Sequence, residues 1–186
     1  MPKVFYTASY TGKEKYQKYY KYVLDAIEDN EVDLISPEKG NYLKLSKKDD
    51  QNFTEKERHY DAIKKGILWA DLVIIEISNE DFQLGHEATL AALNKKPVLC
   101  LSIFEDFSEK ISNTYFFGAM YNEFNIHTIV QEFITKCKKI HLNQRFNLFL
   151  SKNQLDYLGK MSKEEGINKS EYLRNLIDEE IRKNIG

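Results

Sequence analysis

The chain has 186 residues, of which 42% are hydrophobic, and its formal net charge is −2. This length allows one large domain or a medium-sized domain with a small appendage, and the hydrophobic fraction is sufficient for a packed core. The small net charge excludes a general electrostatic attraction to nucleic acid or to anionic membranes.

Short apolar runs mark the predicted strands of the first part of the chain. Four runs predict strands, and the run at residues 72–77 does not alternate with polar residues, so its strand should be buried on both faces. These runs lie at residues 4–7, 32–35, 72–77 and 97–101. A fifth strand is predicted at residues 123–127.

Helical patterns lie between these runs. An apolar stripe that includes Tyr16, Tyr20 and Val23 predicts the first helix. Thr54 and Glu57 have the spacing of a capping box, which predicts the start of a second helix. Further helices are predicted to begin at residues 85–87 and at residue 128. Strands that alternate with helices predict an α/β fold with a doubly wound, five-stranded parallel sheet.

The polar residues 38–58 interrupt this alternation. A loop of that length inside a compact domain is more often functional or disordered than neutral. We therefore expect a long loop or lid before the second helix.

Glu87 is the acid at the start of the helix that follows the third strand. The unpaired N–H groups and the dipole at a helix N-terminus stabilise a carboxylate, so we expect Glu87 to be ionised. His86 beside it could orient a base or a sugar, and the alternative is a packed or solvent-facing histidine. His59 is expected to be packed or solvent-facing in the same way.

Three short motifs surround this acid: Ala70-Asp71 before a strand, Gly85-His86-Glu87 at a helix, and Lys96-Pro97 before the next strand. At these positions the chain resembles the nucleoside 2-deoxyribosyltransferase-like proteins, which include deoxynucleoside 5′-monophosphate N-glycosidases. The resemblance covers roughly residues 3–135. It implies a flavodoxin-like or Rossmann-like sheet with the strand order 2-1-3-4-5, and a deoxynucleoside or nucleotide as the small-molecule ligand.

The resemblance also implies a mechanism. In this family a glutamate attacks C1′ of the deoxyribose and a second acid helps the base to leave, so Glu87 is the implied nucleophile. The family's tyrosine, which orients the nucleophile, aligns with Phe5, and Tyr6 should point to the opposite face of the sheet. The family's aspartate aligns with Ile63. Asp61, two residues earlier and about 200° round the helix, is the candidate proton donor.

The implied strand order places a cleft between the first and third strands, at their carboxyl ends. The turn at residues 7–12 and the loop at residues 78–87 should face each other there. By resemblance, four residues belong to the family's phosphate-binding turn, where backbone N–H groups converge: Ala8, Ser9, Tyr10 and Gly12.

Other site residues are implied beyond this turn. Gly85 and His86 adjoin the nucleophile and are expected to contact substrate. Asp81 stands where the family has a serine in the phosphate loop, and its charge would repel a phosphate. Ser108 matches a serine that can reach the site of a neighbouring subunit.

Residues 141–186 are predicted to form a second domain after residues 1–140. Alternating apolar residues predict a strand at residues 145–150. Ser151 and Asn168 have the character of N-caps for two helices that follow. A unit of this size buries too little surface to be stable alone, so we expect a homodimer or a higher oligomer.

This strand, helix, turn and helix resemble the ribbon-helix-helix DNA-binding domains, most specifically at residues 165–171. In those domains two chains pair their strands into a ribbon that enters the major groove. Double-stranded DNA is therefore an implied partner. The implied contacts come from the ribbon residues Arg145, Asn147 and Phe149, and from Asn168, Lys169 and Ser170 at the start of the second helix. Phe149 departs from the usual basic or polar residue, so a ribbon that only oligomerises is the alternative.

The two resemblances allow three hypotheses. The first is an enzyme that acts on N-glycosidic bonds and also binds DNA as a dimer. The second is a catalytically degenerate, nucleotide-sensing transcriptional regulator. The third is an antitoxin-type or effector-type protein that attacks a nucleotide cofactor or is held silent by DNA or a partner.

Composition bounds the setting of these activities. Cys100 and Cys137 lack metal-ligand spacing, and no metal or other cofactor is predicted. The N-terminus has no apolar signal core, and no apolar run approaches the roughly 18 residues of a membrane span. We therefore expect a cytoplasmic protein without a membrane partner.

Overall fold

The computed structural model describes residues 1–46, 54–140 and 147–184. The chain divides into two compact units, Met1–Asn143 and Gln144–Gly186. None of the helices in the described ranges combines the length and the hydropathy that crossing a membrane requires.

The larger unit contains a five-stranded sheet in which neighbouring strands are parallel. Its strands are β1 Lys3–Ala8, β2 Asp33–Ile35, β3 Leu72–Glu76, β4 Val98–Ser102 and β5 Phe116–Met120. Their order across the sheet is β2-β1-β3-β4-β5, which confirms the predicted order. The winding reverses between β1 and β3, so the carboxyl ends of these two strands frame a cleft.

Helices cover both faces of this sheet. They are α1 Lys13–Glu28, α2 Glu55–Trp69, α3 Phe82–Leu93 and α4 Ile126–Ile140. Apolar side chains of α1 and α4 pack on one face with Tyr6 and Ile74. Those of α2 and α3 pack on the other face with Phe5 and Ile75. The prediction of a doubly wound α/β sheet is therefore confirmed.

The fifth strand lies earlier than predicted. Residues 123–127 form a turn and the beginning of α4, because the side chain of Asn122 accepts hydrogen bonds from the backbone N–H groups of Phe124 and Asn125. The N–H of Asn122 in turn donates to Asn125 Oδ1 at 2.7 Å. Local side-chain contacts of this kind compete with strand formation. The strand next to β4 is instead Phe116–Met120, so the prediction at 123–127 is wrong.

The helix that carries Glu87 also begins earlier than predicted. Asp81 is the N-cap of α3, and its carboxylate accepts a hydrogen bond from the N–H of Gln83 at 2.9 Å. A side-chain oxygen at this position satisfies an N–H group that the helix leaves unpaired. Glu87 therefore lies in the second turn of α3, and the predicted start at residues 85–87 is wrong by about one turn.

The predicted capping box of α2 is confirmed. The N–H of Glu57 donates to Thr54 Oγ1 at 3.3 Å, and the N–H of Thr54 donates to Glu57 Oε2 at 2.8 Å. Within the long loop predicted before this helix, residues 47–53 lie outside the described ranges. Residues 42–45 form a short 3-10 turn. This turn brings Tyr42 against the first turns of α2.

The smaller unit contains two helices, α5 Lys152–Glu164 and α6 Lys169–Asn184. Both predicted N-caps are confirmed: Ser151 Oγ accepts from the N–H of Gln154 at 3.4 Å, and Asn168 Oδ1 accepts from the N–H of Glu171 at 2.9 Å. Between the helices Gly166 has a φ of 69°, a left-handed conformation that glycine adopts with little strain.

The segment before α5 was predicted to be a strand over residues 145–150. Its described part, residues 147–150, has no regular secondary structure, and Arg145 lies outside the described residues. A strand requires a second strand for its hydrogen bonds, and the described residues of this unit are otherwise helical. The predicted strand would pair with a strand of a second chain, so it stays a prediction.

Candidate active site

Glu87 lies in the second turn of α3 and packs toward the sheet. Its side chain is only 2% exposed, although the sequence predicts that the loop ending at Glu87 faces a cleft. One carboxylate oxygen, Oε1, accepts a hydrogen bond from Gln83 Nε2 at 2.9 Å. The other oxygen, Oε2, is buried and has no hydrogen-bond partner among the described residues. One oxygen is therefore held by Gln83, and the hydroxyl of Thr7 also acts on this carboxyl.

Burial has the largest effect on the pKa of this carboxyl. It raises the pKa of Glu87 to about 7, against the opposing effects of the Gln83 amide and the Thr7 hydroxyl, and the charge of Asp81 raises it further. The prediction of a carboxylate that the helix N-terminus keeps ionised is thus wrong. The reason is geometric, because Asp81 takes the N-terminal N–H group and Glu87 lies one turn further into the protein.

The turn after β1 is bound to Asp81. Ser9 Oγ donates to Asp81 Oδ2 at 3.1 Å, and Thr11 Oγ1 donates to the same oxygen at 3.3 Å. Asn79 Nδ2 donates to both hydroxyl groups, at 2.9 and 3.1 Å. The N–H of Gly12 donates to Ser9 Oγ at 3.2 Å. Two hydroxyl groups of the turn predicted to hold a phosphate therefore contact a carboxylate of the protein itself.

The remaining residues of this turn differ in their exposure. Ala8 is half-buried, whereas the side chain of Tyr10 is 84% exposed and points into solvent. Gly12 is buried, and a Cβ there would collide with the hydroxyl of Tyr20 and with Asn79. Only glycine fits this close approach of the turn to α1.

A histidine that the sequence predicted to be packed or solvent-facing joins this site. His59 in the first turns of α2 lies between two partners: its Nδ1 is 2.8 Å from the hydroxyl of Tyr42, and its Nε2 is 3.4 Å from Gln83 Nε2. Burial lowers the pKa of His59. Tyr42, His59, Gln83 and Glu87 therefore form one connected series of polar contacts. Little in the sequence indicates this series of contacts, because its residues come from three separate segments.

His86 is found on the outer side of α3. It is exposed, lies 3.1 Å from the hydroxyl of Tyr60 through Nε2, and stacks on that ring. Gly85 is exposed as well, and a Cβ at this position would meet nothing within 4 Å. Gly85 is about 200° round the helix from Glu87 and lines an apolar hollow with Ala88 and Phe107.

The family's helper positions have other roles in this chain. Phe5 is fully buried and its ring packs against Gly66. Tyr6 points to the opposite face as predicted, and its hydroxyl donates to the backbone oxygen of Tyr20 at 3.0 Å. Ile63 belongs to the core. The carboxylate of Asp61 accepts a hydrogen bond from Ser46 Oγ and from Lys65 Nζ, both at 2.9 Å.

A second buried carboxyl lies at the carboxyl end of β3. Glu76 is fully buried, and its Oε1 accepts hydrogen bonds from the hydroxyl and N–H groups of Ser78 and from the hydroxyl of Tyr121. Its Oε2 has no partner among the described residues. Burial raises the pKa of Glu76 to about 7. In the sequence Glu76 was only the end of an apolar run, so this buried carboxyl was not predicted.

Ser108 is exposed in a short 3-10 turn before β5, and its N–H donates to Asp106 Oδ1 at 2.8 Å. It lines a second hollow with Leu93 and Lys95. Glu87 lines neither this hollow nor the one beside Gly85. Within the described ranges, no group of three or more His, Cys, Asp or Glu side chains is arranged to bind a metal ion.

The predicted DNA contacts belong to the smaller unit. One of them, Arg145, lies outside the described residues. Asn147 is exposed, and the ring of Phe149 is 99% exposed. Asn168 caps α6 through its side chain. Lys169 and Ser170 are exposed in the first turn of that helix.

No known protein-family model matches the chain, and no curated protein sequence matches it. Solved structures with a similar fold include the CMP N-glycosidase of Clostridium botulinum, at 14% identity and a TM-score of 0.48 over 72% of this chain and 98% of that one. A 2-deoxyribosyltransferase from Bacillus psychrosaccharolyticus is 18% identical, with a TM-score of 0.48 over 67% of this chain and 90% of that one. A conserved protein from Enterococcus faecalis V583 is 15% identical, with a TM-score of 0.45 over 75% of this chain and 99% of that one. At these low values, function has to be inferred from the residues of the site.

Proposed function

We propose that the larger unit cleaves or transfers the N-glycosidic bond of a deoxynucleoside, with Glu87 as the nucleophile. The observation that carries this proposal is the state of the Glu87 carboxyl: Oε1 is held by Gln83, and the buried Oε2 has no partner. A buried oxygen without a hydrogen-bond partner lowers the stability of the fold unless a ligand supplies the missing contact. Its place beside the crossover of a doubly wound sheet is where ligands bind in such folds.

The chemistry is a double displacement at the anomeric carbon. Oε2 of ionised Glu87 forms a bond to C1′, and the bond from C1′ to the base nitrogen breaks with its electron pair going to the base. A proton donor neutralises that base as it leaves. Water or a second base then attacks C1′ and releases Glu87. Because Oε2 is buried, the neighbouring side chains have to move apart before a sugar reaches it.

We propose that the substrate carries a free 5′-hydroxyl in preference to a phosphate. The hydroxyl groups of Ser9 and Thr11, which would hold a phosphate, donate to Asp81. A phosphate at this turn would lie against that carboxylate, and like charges in close contact cost several kcal/mol. A sugar hydroxyl can instead donate a hydrogen bond to Asp81.

Asp61 stays our candidate for the proton donor because it is the carboxyl nearest in sequence to Ile63, the position where the family has its aspartate. If it protonates the leaving base, Asp61→Asn should lower kcat for ordinary deoxynucleosides by roughly 10²-fold or more. It should have little effect on 7-methyl-2′-deoxyguanosine, whose cationic base leaves without a proton. An equal loss for both substrates would assign Asp61 a structural role through Ser46 and Lys65.

The decisive experiment measures release of free base. The protein is incubated with a panel of deoxynucleosides and their 5′-monophosphates, with and without an acceptor base, and the products are separated by chromatography. We expect release that Glu87→Gln abolishes and that Glu80→Gln leaves unchanged, since Glu80 is an exposed acid of the same loop. No release from any substrate at high protein concentration would refute the enzyme and favour the nucleotide-sensing regulator.

For the smaller unit we propose a ribbon-helix-helix dimer that binds double-stranded DNA. The exposed apolar side chains support dimerisation, since few of the described apolar residues of this unit are buried in the single chain. Those exposed are Leu148, Phe149, Leu155, Leu176, Ile177 and Ile181. The unpaired segment at residues 147–150 supports the exchange of a strand with a second copy.

Binding to DNA is tested with the chain's own promoter fragment in electrophoretic shifts at rising salt. We expect Arg145→Ala combined with Asn147→Ala to weaken binding, with Lys160→Ala on the exposed side of α5 as the matched control. If the double variant binds as well as the wild type, or if the wild type does not bind, the role of this unit is oligomerisation alone. A nucleoside that alters promoter affinity would reveal coupling between the two units.

A further inference from the structure

The amide nitrogen of Gln83 has two neighbours. It donates to Glu87 Oε1 at 2.9 Å, and it lies 3.4 Å from Nε2 of His59. A glutamine NH₂ group has two hydrogens, so it can donate to both. Both contacts are satisfied when His59 Nε2 carries a lone pair and acts as an acceptor.

The contact of His59 Nδ1 with the hydroxyl of Tyr42 is consistent with this arrangement. If Nε2 accepts, the proton of neutral His59 is on Nδ1, which is 2.8 Å from the hydroxyl oxygen of Tyr42. The opposite tautomer would place the Nε2 hydrogen against the hydrogens of Gln83. The tautomer with hydrogen on Nδ1 therefore satisfies Tyr42, His59 and Gln83 together.

We propose that His59 is a positioning residue that holds the Gln83 amide with its nitrogen toward Glu87. The inference deepens the proposed function, because it rests on Glu87 as the nucleophile. With the nitrogen of Gln83 on Oε1, the carboxylate is stabilised in its ionised form and Oε2 is left for the substrate. Without the histidine acceptor the amide can rotate, and its oxygen would then repel an ionised Glu87.

Two charged groups among the described residues act on this pair. Glu55 on α2 raises the pKa of His59, and Asp81 at the start of α3 raises that of Glu87. Burial lowers the pKa of His59, which keeps the ring neutral at neutral pH. A merely packed histidine would fill the same space, but its removal would not alter the titration of Glu87.

The experiment follows the Glu87 carboxyl directly. Protein labelled with carbon-13 glutamate is titrated by NMR, and the Glu87 signal is assigned by its loss in Glu87→Gln. We expect His59→Phe and Gln83→Met each to raise the pKa of Glu87 by about 1 unit, the size of one hydrogen bond to a charged group. The double variant should show the same rise as either single variant, because each single variant already removes the same hydrogen bond, from Gln83 to Glu87.

Two controls complete the experiment. His59→Gln retains an acceptor near the position of Nε2 and should restore the wild-type titration, and His127→Phe, which alters an exposed histidine paired with Asp29 on another face, should not change it. A Glu87 pKa that is unmoved by His59→Phe, or additive shifts in the double variant, would overturn the proposal. The titration does not require turnover. A protein that releases no base but shows these shifts would refute the enzymatic function alone.

Discussion

At the scale of single residues, the proposed chemistry depends on whether the carboxyl of Glu87 is protonated. Its pKa is raised to about 7, mainly by burial, and only the ionised form can attack C1′. The fraction of active protein therefore increases with pH. This distinguishes the site from one that uses an ordinary exposed carboxylate, which is ionised throughout the neutral range.

For 7-methyl-2′-deoxyguanosine, whose base leaves without a proton, we expect kcat/KM to rise about tenfold for each pH unit below a midpoint near 7 and to level off above it. Glu80→Gln should show the same rise of kcat/KM with pH below the midpoint. A profile that is flat from about pH 5 to pH 8 would contradict a role for buried Glu87, because the exposed carboxylate of model peptides has a pKa near 4.3.

Glu76 allows a prediction about stability. Its folded-state pKa is raised to about 7 from the ordinary value of 4.5, so the folded protein binds the proton more tightly than the unfolded chain. The stabilisation is fully present below the ordinary pKa and is lost as pH rises through about 7, at a cost of up to about 1.4 kcal/mol per pH unit. In urea unfolding between pH 5 and about pH 8, we expect Glu76→Gln to flatten this decline, whereas an unchanged slope would contradict it.

Asp81 allows a prediction about specificity. Asp81→Ser removes the charge from the turn but keeps a side chain that caps α3. We expect the ratio of kcat/KM for a 5′-monophosphate to that for the nucleoside to rise by about tenfold or more, because a repulsive contact is lost. Glu80→Ser makes the same change of charge at a neighbouring exposed position. An equal rise in both variants would indicate a general electrostatic effect instead of a contact at the turn.

At the scale of elements, α3 carries the proposed nucleophile and has open space for a larger side chain at Gly85. Gly85 lies inside this helix, where an added Cβ would meet open space. Gly85→Ala should therefore increase the free energy of unfolding by about 0.5–1 kcal/mol, since alanine loses less backbone entropy than glycine in a helix. Chemical denaturation measures this change.

The same variant tests the predicted substrate contact of Gly85. If substrate approaches the helix backbone at Gly85, as the resemblance implies, KM should increase while stability increases. Unchanged kinetics together with a more stable protein would remove Gly85 from the binding site. A loss of stability would contradict the open space beside it.

Two element predictions failed for the same physical reason. The fifth strand and the start of α3 were both displaced by side chains that satisfy backbone N–H groups locally, Asn122 in one case and Asp81 in the other. Apolar patterning identifies which residues are buried, but it does not show which polar side chain forms the cap. By contrast, Thr54, Ser151 and Asn168 had their glutamate or glutamine partner at the right spacing, and their caps were predicted correctly.

At the scale of the whole molecule, the smaller unit predicts self-association. In sedimentation experiments at micromolar concentration we expect a dimer of the 21.9 kDa chain. Leu176→Ser combined with Ile177→Ser should convert it to monomer, because these exposed apolar side chains would form the dimer core. Leu68→Ser, at an exposed leucine of α2, is the matched control. A double variant that remains dimeric would place the interface elsewhere.

The sequence by itself determined the α/β class, the doubly wound sheet and the helix caps of the smaller unit, because periodicity and capping are local properties of neighbouring residues. It also singled out Glu87 and the turn after β1 as parts of one site. Only the tertiary structure decided that Glu87 is buried and that Asp81 occupies the turn. Only the tertiary structure joined His59 to Gln83. These contacts unite distant segments, and their protonation depends on a burial that no local pattern encodes.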